Sequence, residues 1–367
     1  MSHHHGARRA DIAATRSRLL TTGLGVLVLA LVVAAAVVGV RWWRDVHRTD
    51  LERAMSLAPD DGDRFSWTDW AGVRDELGVD LSADSPQGEV VDFMAAGYDA
   101  DLTSTSALPE SAQQLHVHYG FSPATADWEL FSQSEEGAVV MLHLPDSTDW
   151  DLIADRLRRL GYAEPDEADG VWAGGSEAIG RLGGVTPEVS FVTLLEDESL
   201  VLTSDTEGYL GSAVEVALGD APSVEGFDEV VEASGEALSA ALYTGAQACG
   251  ALAMSQADAD DQAEADRLLA QAGAVDPFTA YALSVQPGLD LRLALTFESD
   301  EQARANADSR AALAAGPSPG QGGDFSDRFE LGPVEADGPL LTLDLDPVDG
   351  ASVLSDLSTG PVLFATC

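Results

Sequence analysis

The sequence predicts an α+β protein: one N-terminal transmembrane helix followed by two α+β lobes with mostly antiparallel sheets. Three observations predict it. One apolar stretch near the start has the length of a membrane span. Beyond it, short apolar runs come in pairs separated by turn residues. Several of these runs lead directly into amphipathic helices that open with the same punctuation. With 367 residues, 45% of them apolar, the chain has material for two cores after the membrane segment.

Residues 1–18 form a basic cytoplasmic tail in this reading, and 19–40 form the transmembrane helix. The 22 uncharged residues LLTTGLGVLVLALVVAAAVVGV lie between Arg18 and Arg41. As a helix they reach roughly 33 Å, enough to cross a hydrocarbon core of about 30 Å. Arg16 and Arg18 border one end; Trp42, Trp43 and Arg44 border the other, in the pattern of an interfacial anchor. The run exceeds the apolar core of a cleaved secretory peptide. Lipid attachment is excluded, because no cysteine lies near it. Arginine counts on the two sides balance, so the expected orientation, with the body outside the cytoplasm, leans on the cysteines.

Those cysteines are Cys249 and Cys367. In an exported domain an even pair is most simply a disulfide; the alternative is two separate reduced thiols.

Residues 41–60 read as a juxtamembrane helix or linker, 61–235 as the first lobe and 236–367 as the second. Strands are expected at GAVVMLHLP (137–145), VSFVTLL (189–195) and SLVLTSD (199–205), the last two joined as a hairpin. A helix follows in EGYLGSAVEVAL. In the second lobe the strands are ALSAALYTG, FTAYALSV, LDLRLALTF, RFELGPVEADG and LLTLDLD. Helices are expected in DADDQAEADRLLAQAG, from Asp300 to about Ala315, and shortly before the closing VLFATC.

Thr-Asp-Trp occurs twice, at 68–70 and 148–150. In the first copy Trp70, Val73 and Leu77 stand at i, i+3 and i+7; in the second, Trp150, Ile153 and Leu157 repeat that spacing. Each set makes one apolar stripe on a helix. Thr68 and Thr148 are expected as N-caps, Asp69 and Asp149 as favourable charges in the first turn, and Gly78 and Gly161 as the left-handed terminators. Ser299-Asp300-Glu301-Gln302 reads as a capping box. Asp346-Pro347 reads as another helix start, with proline in the first turn. This places Thr-Asp-Trp among structural signals rather than binding signatures.

The layout of short basic tail, single anchor and acidic α+β ectodomain is similar to that of uncharacterised single-pass membrane proteins of actinobacteria. The resemblance rests on architecture and composition, and no functional residue carries over from it.

Charge excludes one class of partner. The chain has 63 acidic and 19 basic residues, net −44, and every basic residue is arginine. Such a body repels phosphate backbones, so no nucleic acid is expected. Without lysine there is no Schiff-base chemistry, no P-loop and no Ser-x-x-Lys nucleophile. Two widely separated cysteines exclude cysteine-cluster metal sites. No cofactor is expected.

His116 and His118 share one face if QLHVHYGF is a strand, and His143 lies on another strand. The three are the candidate metal ligands, since imidazoles on one sheet face suit zinc or copper. Acidic groups at Asp258, Asp260, Asp261 and Glu264, and at Asp344, Asp346 and Asp349, do not fit the twelve-residue calcium loop.

The expected function is a membrane-tethered extracytoplasmic binding or scaffolding protein of the cell envelope, non-catalytic. It would meet the lipid bilayer through residues 19–40 and an envelope protein or basic partner through its body. Two rivals are a carrier enclosing an apolar or lipidic ligand, and an envelope hydrolase built on His116, His118 or His143. A large apolar cavity would favour the first; histidines converging in a cleft would favour the second.

Overall fold

Eleven strands join in a single antiparallel sheet, and helices cover it. The structure is a computed structural model that describes residues 48–367. The expected tail, the transmembrane helix at 19–40 and most of the juxtamembrane segment therefore lie outside the described residues. Among the described residues no helix is long and apolar enough to cross a membrane.

The chain runs α1 (Asp50–Met55), β1 (Arg64–Thr68), α2 (Trp70–Glu76) and α3 (Gln87–Asp99). Next comes α4, an α-turn at Ala112–Gln114 that continues as a π-helical turn, Leu115–Tyr119. The hairpin of β2 (Trp128–Gln133) and β3 (Ala138–His143) follows, then α5 (Trp150–Leu160), the short β4 (Trp172–Ala173) and α6 (Gly175–Leu182). A second hairpin, β5 (Phe191–Leu195) and β6 (Leu200–Ser204), precedes α7 (Glu207–Ala217) and α8 (Asp228–Ser234). The pattern then restarts with β7 (Ser239–Thr244), α9 (Gly245–Ala251) and α10 (Ala259–Ala272). After the hairpin β8 (Ala280–Val285) and β9 (Leu291–Thr296) come α11 (Asp300–Ala314), the hairpin β10 (Phe329–Asp337) and β11 (Leu340–Pro347), and α12 (Val353–Ser358).

The strand order β10-β11-β9-β8-β7-β1-β2-β3-β6-β5-β4 reads alike outward from its centre. Each half presents a lone strand, a hairpin, and then a second hairpin entered through its later strand; the short β4 is added at one outer edge. The halves join where β1 pairs antiparallel with β7: Arg64 faces Tyr243, Ser66 faces Ala241 and Thr68 faces Ser239. Two lobes with separate sheets are therefore corrected to two similar chain segments building one sheet. The physical reason is at the join. As an edge strand, β1 or β7 would leave a row of backbone donors and acceptors without partners. Paired together they become the sheet's centre.

Side chains alternate between two apolar layers. One layer holds Phe131, Val140, Leu142, Val201, Tyr243, Tyr281, Leu293 and Leu343 under α2, α5 and the C-terminal segments. The other holds Phe65, Trp67, Trp128, Leu130, Met141, Leu200, Leu202 and Leu242 under α1, α7 and α8.

Both Thr-Asp-Trp segments open helices, but the cap is shifted by one residue. Asp69 accepts from Gly72 N and Asp149 from Leu152 N. Thr68 ends β1, and Thr148 Oγ1 donates to Pro145 O. Val73, Ile153 and Leu157 are buried as the stripes require, and Gly161 takes the left-handed cap at φ 91°. Replacing Asp149 by alanine should therefore cost about 1 kcal/mol, and Thr148 by alanine less than half of that. Urea unfolding of the two variants checks the order; an equal loss would return the cap to the threonine. Ser299 caps α11 through Gln302 N, the forward half of the expected capping box. Pro347 is a correction: it ends β11, and the helix starts only at Val353.

The C-terminal end is fastened to the body at several points. Asp101, in the left-handed region at φ 57°, accepts from the backbone N–H of Leu354 at 2.6 Å and Ser355 at 3.2 Å, so it caps α12 from outside. Tyr243 and Tyr281 donate to the carbonyls of Ser358 and Leu357 at its other end. Beyond it, Val362 N donates to Leu252 O. The fully buried Arg310 lies over the rings of Phe278 and Phe297, 5.3 and 5.5 Å from their centroids. It donates to Phe364 O (2.7 Å), Thr366 O (3.1 Å), Asp276 O (2.6 Å) and Asn306 Oδ1 (3.1 Å). Cys249 and Cys367 form a disulfide, with Cα atoms 5.4 Å apart.

Candidate functional site

Trp128 opens β2 directly opposite His143, the last residue of β3. Cross-strand partners stand close enough for their rings to meet. Here they stack, with centroids 5.3 Å apart and planes 17° apart. The indole packs on its other side against Trp67. Asp127 N donates to His143 O at 2.8 Å, and Asp127 Oδ2 lies 3.0 Å from His143 Nδ1. The imidazole is thus oriented by a carboxylate at one nitrogen and by an indole across its face. It remains 31% exposed, and Asp127 34%, so both are open to a partner.

This pair lies in a cleft of about 390 Å³ whose lining includes Asp50, Arg53, Asp69, Asp127, Trp128 and Glu198. Four carboxylates meet one guanidinium, so the cleft is acidic. Arg53 is already 2.5 Å from Asp50. Burial raises the pKa of Asp69 above the usual carboxylate value, and the Gly72 amide partly offsets this.

An Asp-oriented imidazole is a familiar general base, and a nucleophile would complete it. Ser56 also lines the cleft, but its hydroxyl donates to Arg53 O at 2.6 Å. That proton is committed to the helix backbone, so the arrangement binds more readily than it reacts.

The other two candidate ligands are held elsewhere. The segment expected as a strand is the π-helical turn of α4, which buries Leu115, His116 and Tyr119. The period-two pattern of LHVHY gave way because the turn packs its apolar residues at i and i+4. His116 Nε2 donates to Ser85 O at 2.9 Å, and its Nδ1 lies 3.5 Å from Ser122 Oγ. His118 is half-buried on the same turn. Neither lines the cleft of His143, and no group of three or more His, Cys, Asp or Glu among the described residues suits a metal ion. The acidic runs are also accounted for: Asp258 caps α10 through the amides of Asp260 and Asp261, and Asp344 pairs with Arg292 at 2.8 Å.

A second cleft, of about 610 Å³, is lined by Asp60, Asp61, Glu136, Tyr209 and Glu215 among others. Tyr209 O–H donates to Asp61 Oδ1 and Ser134 O–H to Asp61 Oδ2. Burial and the Asp61 charge push the phenol up to about 12, so it stays a neutral donor. Both clefts carry carboxylates on their walls, unlike the apolar enclosure a lipid carrier needs.

Sequence reasoning singled out His143 but missed Asp127 and Trp128, its two supports. The signal was a third Asp-Trp dipeptide, in TADWEL. Here it opens a strand rather than a helix.

No protein-family model matches the chain, and no curated protein matches it in sequence. Among solved structures, crystal form I of TP0453 is similar with a TM-score of 0.40 at 10% identity, covering 85% of this chain and 98% of that one. Crystal form III of TP0453 gives a TM-score of 0.41 at 9% identity, covering 83% and 97%.

Proposed function

We propose that residues 50–367 are an extracytoplasmic, non-catalytic binding domain of the cell envelope, and that the His143 cleft holds a basic group of its partner. The observation that carries this reading is the fixed His143–Asp127–Trp128 wall in a cleft where carboxylates outnumber the guanidinium. Such a site offers anionic acceptors beside a half-exposed imidazole to an arginine or ammonium group. The placement is supported by the Cys249–Cys367 disulfide, because such bonds persist in oxidising compartments.

The binding test is titration of the full chain with an oligo-arginine peptide at two salt concentrations. Asp127→Asn combined with Glu198→Gln should weaken binding about tenfold, or ~1.4 kcal/mol. Equal affinity for wild type and the double variant removes the cleft from the reading; absence of binding to either removes the basic partner. For the placement, an impermeant maleimide on intact cells should label the chain only after reduction. Labelling that requires lysis would put the domain on the other side of the bilayer.

A further inference from the structure

At the centre of the sheet a buried acid stands without a counter-charge. Glu129 is 1% exposed. Its Oε1 accepts from Ala107 N at 2.9 Å and Ser106 Oγ at 2.9 Å; its Oε2 accepts from Trp70 Nε1 at 3.0 Å and Ser106 Oγ at 2.8 Å. One carboxyl thus ties α2 and the 100–111 segment to β2. Every donor is neutral. Opposite Glu129 on β1 is Thr68, also 1% exposed. Among the described residues its Oγ1 has no hydrogen-bond partner.

These two facts fit together. The donors satisfy an ionised carboxylate, but its charge remains buried, which is costly. A protonated carboxyl keeps the acceptor sites for Ala107, Ser106 and Trp70 and gains one O–H. Thr68 Oγ1, on the adjacent strand opposite, makes no hydrogen bond to Glu129 in this structure and reaches that O–H by a side-chain rotation. We propose that Glu129 is a proton-operated latch: taking up a proton tightens the hold of α2 and the 100–111 segment on the central strands, with the Thr68 side chain turning to accept the new hydrogen bond.

The charged groups on the surrounding elements are engaged elsewhere or exposed. On α2, Asp69 caps its own helix, Arg74 donates to the carbonyls of Pro123, Ala124 and Ala126, Glu76 accepts from Gly288 N, and Asp75 is exposed. In the 100–111 segment Asp101 caps α12, and Glu110 is exposed. Beside β2, Asp127 and His143 hold each other, and Arg64 on β1 lies over Tyr243. Burial raises the Glu129 pKa, the amide and hydroxyl donors opposing it. The folded value therefore lies above the unfolded one. The penalty is full at pH above the folded value and disappears as pH falls through it towards that of an ordinary glutamate.

The test follows the Trp70 indole N–H by NMR and the Ala107 amide by hydrogen exchange in the full chain, from about pH 8 to about pH 4. In wild type the indole resonance should titrate with a midpoint above that of an ordinary glutamate. Ala107 protection should rise several-fold as pH falls, once intrinsic exchange is corrected. Glu129→Gln should abolish the titration and show the acid-level protection already at pH 8. Thr68→Val should lower the midpoint. A flat wild-type indole resonance, or a Glu129→Gln variant that titrates like wild type, overturns the latch. An unchanged midpoint in Thr68→Val removes the threonine from it.

Discussion

Replacing Arg310 by methionine should lower the unfolding free energy by about 4 kcal/mol, one of the two largest losses expected for a small change in this chain. The guanidinium reaches three backbone carbonyls and one amide oxygen, and it lies against the rings of Phe278 and Phe297. Methionine fills much of the volume but donates nothing, so the Phe364, Thr366 and Asp276 carbonyls lose their donor in a buried site. Each buried acceptor left unmatched costs roughly 1–3 kcal/mol, partly recovered where water enters. Burial lowers the Arg310 pKa to about 10, the Asp276 charge opposing it, so the side chain still carries its charge at neutral pH. Arg310→Lys keeps that charge without the fork and should recover about half of the loss. Urea unfolding at constant pH measures both. A loss under about 1 kcal/mol for the methionine variant would show that the clamp contributes little.

Arg310 also shows where sequence reasoning ran out. Helix α11 was legible: Ser299 and Gln302 mark its start, and its length follows from the run to Ala314. Nothing in that run says that one of its arginines points inward, because the aromatic rings and carbonyls it meets come from the residues just before β8, just after β9 and at the end of the chain. The same holds for Glu129, whose partners are 22 or more residues away, and for Asp101, whose partners in α12 are 253 or more residues away. Local signals did carry α5, α7, α10 and the hairpins β5–β6, β8–β9 and β10–β11, because each is decided by its own periodicity and turn. The strands β1 and β2 were missed. RFSWT and WELFSQ are buried on both faces, so Ser66, Thr68, Glu129 and Ser132 break the apolar alternation that marks a half-exposed strand. Missing β1 hid the join with β7, and with it the fact that two similar halves make one sheet. Of the site, His143 was legible as a rare residue type at a strand end, whereas its orientation by Asp127 and Trp128 depended on hairpin register.

The second large effect should come from the disulfide, and it should act by a different route. Changing Cys249 and Cys367 together to serine opens a loop spanning 118 positions, and in the chain-entropy model that is worth about 5 kcal/mol. The folded state should change little, because Arg310 still holds Phe364 and Thr366 and Leu252 O still accepts from Val362 N. The loss lies in the unfolded ensemble, which gains freedom. Arg310→Met does the reverse: it loosens the folded tail while the covalent link still restrains the unfolded chain. Hydrogen exchange separates the two. Amides at Leu363–Ala365 should exchange faster in Arg310→Met and stay near wild type in the double serine variant, although both lower the urea midpoint. With both changes present the losses should add to within about 0.5 kcal/mol if the routes are independent. Tail amides that exchange freely in the serine variant would mean that the disulfide, not the arginine, holds the folded strap in place.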